Sequence, residues 1–544
     1  MNKAVKLLFL HPWMIPAIIF SILVFLGANM HPLWGDEAET ALFARNILQF
    51  GLPKGWNGVN ILGYSNGIVF NSDLINHISP WAQYYLVAVS FLIFKDSFLS
   101  ARLPFILLSI ISIPVLYYLA LKITRDKKIA LMTVTAACLS VPFILFSFQA
   151  RYYSLVSLFG MIFFSSAMSL AEKRIRNKLF FVLSGVIFYY GNYVSFSAFF
   201  LAVFFTLLIY FLIKRNKKEI ISFTLWYLGL SLLIALFTLP WHLWMKPSPG
   251  FGAIVFLGLK RFFYDFIFFF GQAFFPFMEN NGFPLLFCTL LPLIVIYKYT
   301  NKKLGEDLIL LIFLPVFFLA LMAAYTTVAF VETTFIQIRY TMLIFPYLLV
   351  LSSYVVNWLW QKNKIAGFLV FSIFVFTNFL TPSKQRVFLY DFVREIKTGY
   401  ELPDEAVANY LKVHAKKGET VFLSLNRDHE PLMYELNNKV VFINRISLTN
   451  SIIFPKNRKI LPRYIYDFRD NPDWIILYSK RVNDGSFAMF DYRPYDNLER
   501  VLDDYEETIL PVYFSDMSRP ELSLRSFYKI TPAPNDRIFI YHKK

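Results

Sequence analysis

Eleven apolar runs decide what this chain can fold into. They lie near residues 8–29, 98–121, 129–147, 152–171, 178–193, 196–213, 221–243, 281–297, 307–330, 339–360 and 364–381. Each approaches the roughly 20 residues that a helix needs to cross a bilayer. Backbone polar groups in lipid must be satisfied within the chain, so runs of this kind imply a helical bundle. Basic clusters punctuate the runs: Lys3 with Lys6, residues 122–128, 173–178, 214–218 and 298–303, and Lys362 with Lys364. With eleven spans every cluster falls on one side, which the positive-inside rule makes cytoplasmic.

Two further apolar segments test that count. Residues 80–94 number about fifteen, short of the roughly 20 needed to cross, open on Pro80 and carry Gln83. Counting them as a span would turn every later basic cluster outward. An amphipathic helix lying in the outer interface fits better. Residues 253–270, interrupted by Lys260, Arg261 and Asp265, receive the same reading.

Composition agrees with a protein solvated mostly by lipid. Only 16% of residues are charged, against about 25% in soluble domains. The net charge of +17 does not point to nucleic acid, because the cations sit in short loops rather than on one domain. Cys138 and Cys288 both lie in apolar runs and read as small buried hydrophobes, with no disulfide framework. Residues 7–25 are long and lack a small-residue cleavage site, so they read as a retained span.

Beyond about residue 383 the pattern changes. Residues 404–415 carry helical apolar spacing after Pro403, and 420–425, 439–444, 474–478 and 537–541 are short β-rich runs. The expected architecture is a polytopic α-helical membrane protein of about eleven transmembrane helices plus interfacial helices, with a C-terminal soluble α/β domain. Its expected division is a membrane domain over 1–382, with outer loops 30–97 and 244–280, and an extracytoplasmic α/β domain over 383–544.

Chemistry concentrates on the outer side. Asp36, Glu37 and Glu39 follow the first span, and Asp36 with Glu37 opens a run of helical propensity. Two capping carboxylates favoured by the helix dipole are the bland explanation. A general base at the membrane face, made more basic by partial desolvation, is the functional one. Glu39, one turn on, reads as a solvated helix residue. His77 precedes the interfacial segment that holds Trp81 and Tyr85, while Arg151 with Tyr152 and Tyr153, His242, and Arg339 with Tyr340 sit at the outer ends of later spans. Aromatics there are usually interfacial belt residues, and arginines there can simply snorkel. Arginine forks also suit phosphate oxygens. A carboxylate base beside cations at headgroup level suits transfer from a lipid-phosphate donor. There is no metal-ligand spacing of the His-Glu-x-x-His kind and no glycine-rich phosphate loop, which disfavours soluble nucleotide donors. No cofactor is implied, and a divalent metal stays open.

Several motifs carry a family resemblance. Residues 34–39 (Trp-Gly-Asp-Glu-Ala-Glu) with 44–47 resemble the first-loop motif of C-type (GT-C) membrane glycosyltransferases. The protein-mannosyltransferase-like group, which includes the aminoarabinose transferases of lipid A, is the most similar. Residues 80–85 (Pro-Trp-Ala-Gln-Tyr-Tyr) followed by Arg102-Leu103-Pro104, residues 149–155, and Arg339-Tyr340 with Pro346 resemble later motifs in the same order. The resemblance covers roughly 8–360. It implies a polyprenyl-phosphate sugar donor and transfer on the extracytoplasmic face. Asp36 is implied as the catalytic base, with Glu37 as a companion that holds the acceptor or structures the loop. His77, Arg151, His242 and Arg339 are implied as donor-phosphate ligands, and Tyr85, Tyr152, Tyr153 and Tyr340 as cavity residues. Aminoarabinose transferases carry Arg-Tyr after the Asp-Glu pair where this chain has Glu39-Thr40. The acceptor therefore stays open among a lipid, a glycan and a protein side chain.

Two other classes compete. A transporter or flippase of lipid-linked sugars would place charge near the bilayer midplane and show internal repeats, and neither is visible here. A non-catalytic scaffold would tolerate alanine in the acidic loop. The absence of an Asn-x-Ser/Thr sequon suits a bacterial inner membrane, with the active site and C-terminal domain facing the periplasm.

Overall fold

A computed structural model describes residues 11–62, 70–172, 174–245, 306–325, 342–376, 388–398, 401–423, 429–443, 471–477, 502–511 and 537–544. Its first part is helical. α1 (Met14–Ala28) leads into α2 (Gly35–Phe50), which stops at Gly51 in the left-handed conformation (φ 77°). α3 (Ala82–Phe94) follows, then α4 (Phe98–Thr124), capped by the Ser97 side chain. α5 (Lys127–Leu139), capped by Asp126, and α6 (Val141–Phe148) meet at a 65° bend where Pro142 opens the second helix. Next come α7 (Tyr153–Ala167), α8 (Ile175–Gly191), α9 (Tyr193–Ile213), α10 (Lys217–Met245) and α11 (Glu306–Tyr325). A 3₁₀ turn (Met342–Ile344) feeds α12 (Phe345–Lys362), and α13 (Lys364–Phe376) closes the series.

This is a polytopic membrane bundle. Apolar side chains such as Ile18, Ile22, Leu107, Leu179, Leu225, Leu232, Leu236 and Phe368 are exposed on its outside, where only lipid would solvate them. Among the described residues α4, α9, α10 and Met342–Lys362 are each long and apolar enough to cross alone, and α5 with α6 makes a fifth as a bent pair. Helices occupy ten of the eleven runs read from the sequence, several as shorter pieces. The run at 281–297, the segment 253–270 and the proposed domain boundary at 382/383 lie outside the described residues. Residues 82–94 form a separate 13-residue helix.

The two ends of the bundle are chemically different. At one end Lys122 Nζ reaches the Ser165 carbonyl at 2.6 Å and Ser169 Oγ at 2.6 Å, and Asn357 Nδ2 donates to Asp126 at 3.3 Å. The Lys178 ammonium sits 3.1 Å above the Trp226 ring. The opposite end carries α2, α3 and the corner at 149–152.

The C-terminal part is an α/β domain. α14 (Phe388–Thr398) and α15 (Pro403–His414) precede β1 (Thr420–Leu423), α16 (Glu430–Leu436), β2 (Val441–Phe442), β3 (Trp474–Leu477), β4 (Tyr505–Pro511) and β5 (Arg537–Lys543). The sheet order is β2-β1-β3-β5-β4, with the first three strands parallel and β5 antiparallel to both of its neighbours. Alternate residues fill opposite faces. Val421, Leu423, Trp474, Ile476, Ile538 and Ile540 join the main core, while Phe422, Ile475, Leu477, Phe539 and Tyr541 form a second cluster. β4 has no counterpart in the sequence reading, because its Glu506 and Glu507 interrupt any apolar pattern. Those glutamates are exposed, as suits a charged edge strand.

The first loop grips this domain. The Asn60 side chain donates to the Val440 carbonyl at 3.0 Å and accepts from Phe442 N–H at 2.8 Å, occupying the free edge of β2. Arg45 donates to Asp96 at 2.5 Å and to the Tyr434 carbonyl at 3.0 Å, and Tyr434 Oη donates to Asp96 at 2.8 Å.

Candidate active site

Helical geometry separates the three carboxylates of α2. Residues advance about 100° each, so Asp36, Glu39 and Thr40 share one face while Glu37 points roughly 100° away. Trp34 enters in extended conformation without a side-chain cap, and the acidic first turn suits the helix dipole.

Glu37 is fully enclosed. Its Oε1 accepts from Arg102 Nε at 2.9 Å and from Ala150 N–H at 2.8 Å, and its Oε2 accepts from Arg102 Nη2 at 2.6 Å. The remaining Arg102 donors reach the carbonyls of Ala28 (2.7 Å), His31 (2.6 Å) and Pro32 (3.0 Å). All five guanidinium N–H groups are thus used. Both side chains are buried, and the pair ties the end of α1, the start of α2, α4 and the 149–152 corner into one unit. Of the two companion roles the sequence left open for Glu37, this geometry matches the loop-structuring one.

The other face of α2 meets Arg151. Arg151 Nη1 lies 2.9 Å from Glu39 Oε2 and 3.1 Å from Thr40 Oγ1, and Nη2 lies 3.5 Å from Asp36 Oδ1. Thr40 Oγ1 donates to the Asp36 carbonyl at 2.9 Å. Asp36 is the more exposed of the two acids, at 26% of its side chain against 15% for Glu39. The solvated role read for Glu39 is therefore corrected: i, i+3 spacing puts it beside Asp36 against a common arginine. Burial raises the Glu39 carboxyl to about 7, and Asp36 and Glu430 push it the same way against the pull of Arg151. Burial and the Glu39 charge also lift the Tyr84 hydroxyl above its ordinary value.

Gln83 Oε1 accepts from Tyr152 N–H at 3.1 Å, fastening α3 to the same corner. Three buried polar atoms nearby, Trp34 Nε1, Gln149 Oε1 and Arg151 Nε, have no hydrogen-bond partner among the described residues. Buried orphans of that kind are uncommon and mark places where a ligand can bind. No group of three metal-ligating side chains occurs among the described residues.

Residues 79–244 match the protein family described as dolichyl-phosphate-mannose-protein mannosyltransferase. The structure of ArnT from Cupriavidus metallidurans bound to undecaprenyl phosphate superposes with a TM-score of 0.54, at 11% identity, over 97% of this chain and 98% of that one. The protein has the GT-C fold. The archaeal oligosaccharyltransferase AglB from Archaeoglobus fulgidus, in complex with an inhibitory peptide and a dolichol-phosphate, gives a TM-score of 0.46 at 11% identity, over 86% of this chain and 69% of that one. No curated protein matches the sequence.

Within this GT-C fold the family match takes in Arg102, Arg151 and His242, while Asp36 lies before it. The structure brings Asp36 and Arg151 together and joins Glu37 to them through Ala150. Tyr152 and Tyr153 stand on the same corner with ring centroids 4.7 Å apart. Tyr85 is turned elsewhere, its hydroxyl donating to the Gly51 carbonyl at 2.8 Å. His77 lies on the loop that Asn76 organises by accepting from Ile78 and Ser79 N–H. His242 meets the Tyr189 hydroxyl at 2.8 Å, beside Trp241, which packs edge-on against Trp81. Arg339 and Tyr340 lie outside the described residues. The sequence reading set Glu39 aside as solvated and did not single out Glu430 in the C-terminal domain. It quoted Arg102 only within a motif, although an arginine inside an apolar run is itself a sign of a buried partner.

Proposed function

We propose that this GT-C protein is a membrane glycosyltransferase that moves a sugar from a polyprenyl-phosphate donor to an acceptor hydroxyl or amine, with Asp36 as general base. The observation that carries this reading is a partly exposed carboxylate beside a mostly enclosed guanidinium at the bundle end opposite the basic clusters. Asp36 takes the acceptor proton as the acceptor atom bonds the anomeric carbon. The bond from that carbon to the phosphate oxygen breaks, and its electron pair leaves with the lipid phosphate. Arg151 is placed to stabilise the charge that develops there. His77 and His242, on two segments that meet at Trp81, are the next donor ligands on this reading. The lipid phosphate bound to ArnT is of the class the reading requires. By charge bias the site end faces away from the cytoplasm, the periplasm in a bacterial inner membrane.

The test follows the lipid. Mass spectrometry of the purified protein should find a co-purified polyprenyl-phosphate sugar, and turnover should release polyprenyl phosphate. D36N should stop that release while the protein still inserts and folds. Labelled donor recovered intact on the opposite face would favour a flippase. Unaltered release by D36N would remove Asp36 from the mechanism.

A further inference from the structure

Asp36 and Glu39 compete for one guanidinium. A carboxylate paired closely with arginine is a weaker base, because the ion pair favours its charged form. A general base must therefore not be gripped tightly by the cation beside it. Here the closer contact is to Glu39, at 2.9 Å, and Asp36 lies at 3.5 Å. Thr40 anchors the same Nη1 atom at 3.1 Å, so the fork leans toward the Glu39 side.

Building on the transferase reading, we propose that Glu39 is a positioning residue: it draws the Arg151 guanidinium away from Asp36 and so keeps Asp36 a strong base. Its carboxylate faces a charged or titratable group on every element around it. These are Asp36 on α2, Arg151 on the 149–152 corner, Tyr84 on α3 and Glu430 at the start of α16. Two of those neighbours are acidic, and Glu430 comes from the C-terminal domain, so that domain contributes to how Glu39 ionises. Glu39 changes charge near pH 7. Below that pH it is neutral, and Arg151 has Asp36 as its anionic partner. Above it, the Glu39 anion holds the guanidinium, and its negative charge further raises the proton affinity of Asp36.

The test compares the full-length wild type with E39Q, measuring release of lipid phosphate from dolichyl-phosphate mannose and undecaprenyl-phosphate mannose over about three pH units, from about 5.5 to about 8.5, centred on the Glu39 transition. The two proteins should have similar kcat at the acid end. The wild type should gain on E39Q through neutrality until it is about tenfold faster, with donor KM changed by less than about twofold. E39D, which restores the carboxylate, should recover part of the alkaline excess. A constant ratio across pH would mean a merely structural residue and would overturn the proposal. A second arm needs no substrate. The raised proton affinity means the native state keeps a proton that the unfolded chain has lost, so this contribution to stability is whole below pH 4.5 and gone above about 7. Thermal stability of the wild type should fall across that window relative to E39Q. Parallel curves would overturn the proposal even where no donor turns over. An inactive wild type with divergent curves would count against transfer from these mannosyl donors and leave the Glu39 proposal standing.

Discussion

The two faces of α2 each set carboxylate against arginine, with opposite results. Arg102 has every donor used and holds Glu37 in a dry, closed pair. Arg151 has two acidic partners, one of them loose, and an Nε with no described partner. A satisfied buried pair has one stable arrangement, and breaking it leaves a charge stranded. A shared arginine has more than one arrangement available and can turn toward a new anion. The residue types are the same, but their saturation separates a brace from a candidate site.

Substitutions should break this contrast in order of size. The largest effect on chemistry belongs to Asp36. D36N should lower lipid-phosphate release by about 10³-fold, within the range for loss of a general base, with thermal stability unchanged. If instead E37Q abolished turnover in a protein as stable as wild type, the roles of the two faces would be reversed. Next comes the brace. R102A should destabilise by about 3–5 kcal/mol, seen as loss of folded protein in detergent before any change in donor KM. R151K keeps the charge but loses the planar fork. It should raise donor KM or lower kcat by about tenfold without the instability of R102A.

The smallest effect is expected at the grip on the C-terminal domain. Asp96 is 38% exposed in its pair with Arg45, and D96N should cost only about 1 kcal/mol or less, read as a modest shift in thermal midpoint. Loss as large as that of R102A would show that the contact with Tyr434 holds the domain in place.

The apolar runs and the charge between them settle the membrane class of this protein, since lipid leaves a long apolar chain no option but helices. Basic loops predict how the runs are oriented, and β-rich stretches after residue 383 announce the sheet, apart from charged β4, whose edge position removes the need for an apolar pattern. Asp36 and Arg151 were both legible as candidates because ionisable groups beside apolar runs need a reason. Their pairing was not. The separation of 115 positions between them is closed only by packing of α2 against the 149–152 corner.

The acidic stretch 36–39 shows the division most clearly. Its sequence determined that three carboxylates would sit at a helix start near the bilayer. Which one is buried, which is shared and which stays accessible depends on the arginines that other helices bring to each face. Charge is written in the residue; its basicity belongs to its surroundings, and for Asp36, Glu37 and Glu39 those surroundings exist only once α4, the 149–152 corner and the C-terminal domain have closed around α2.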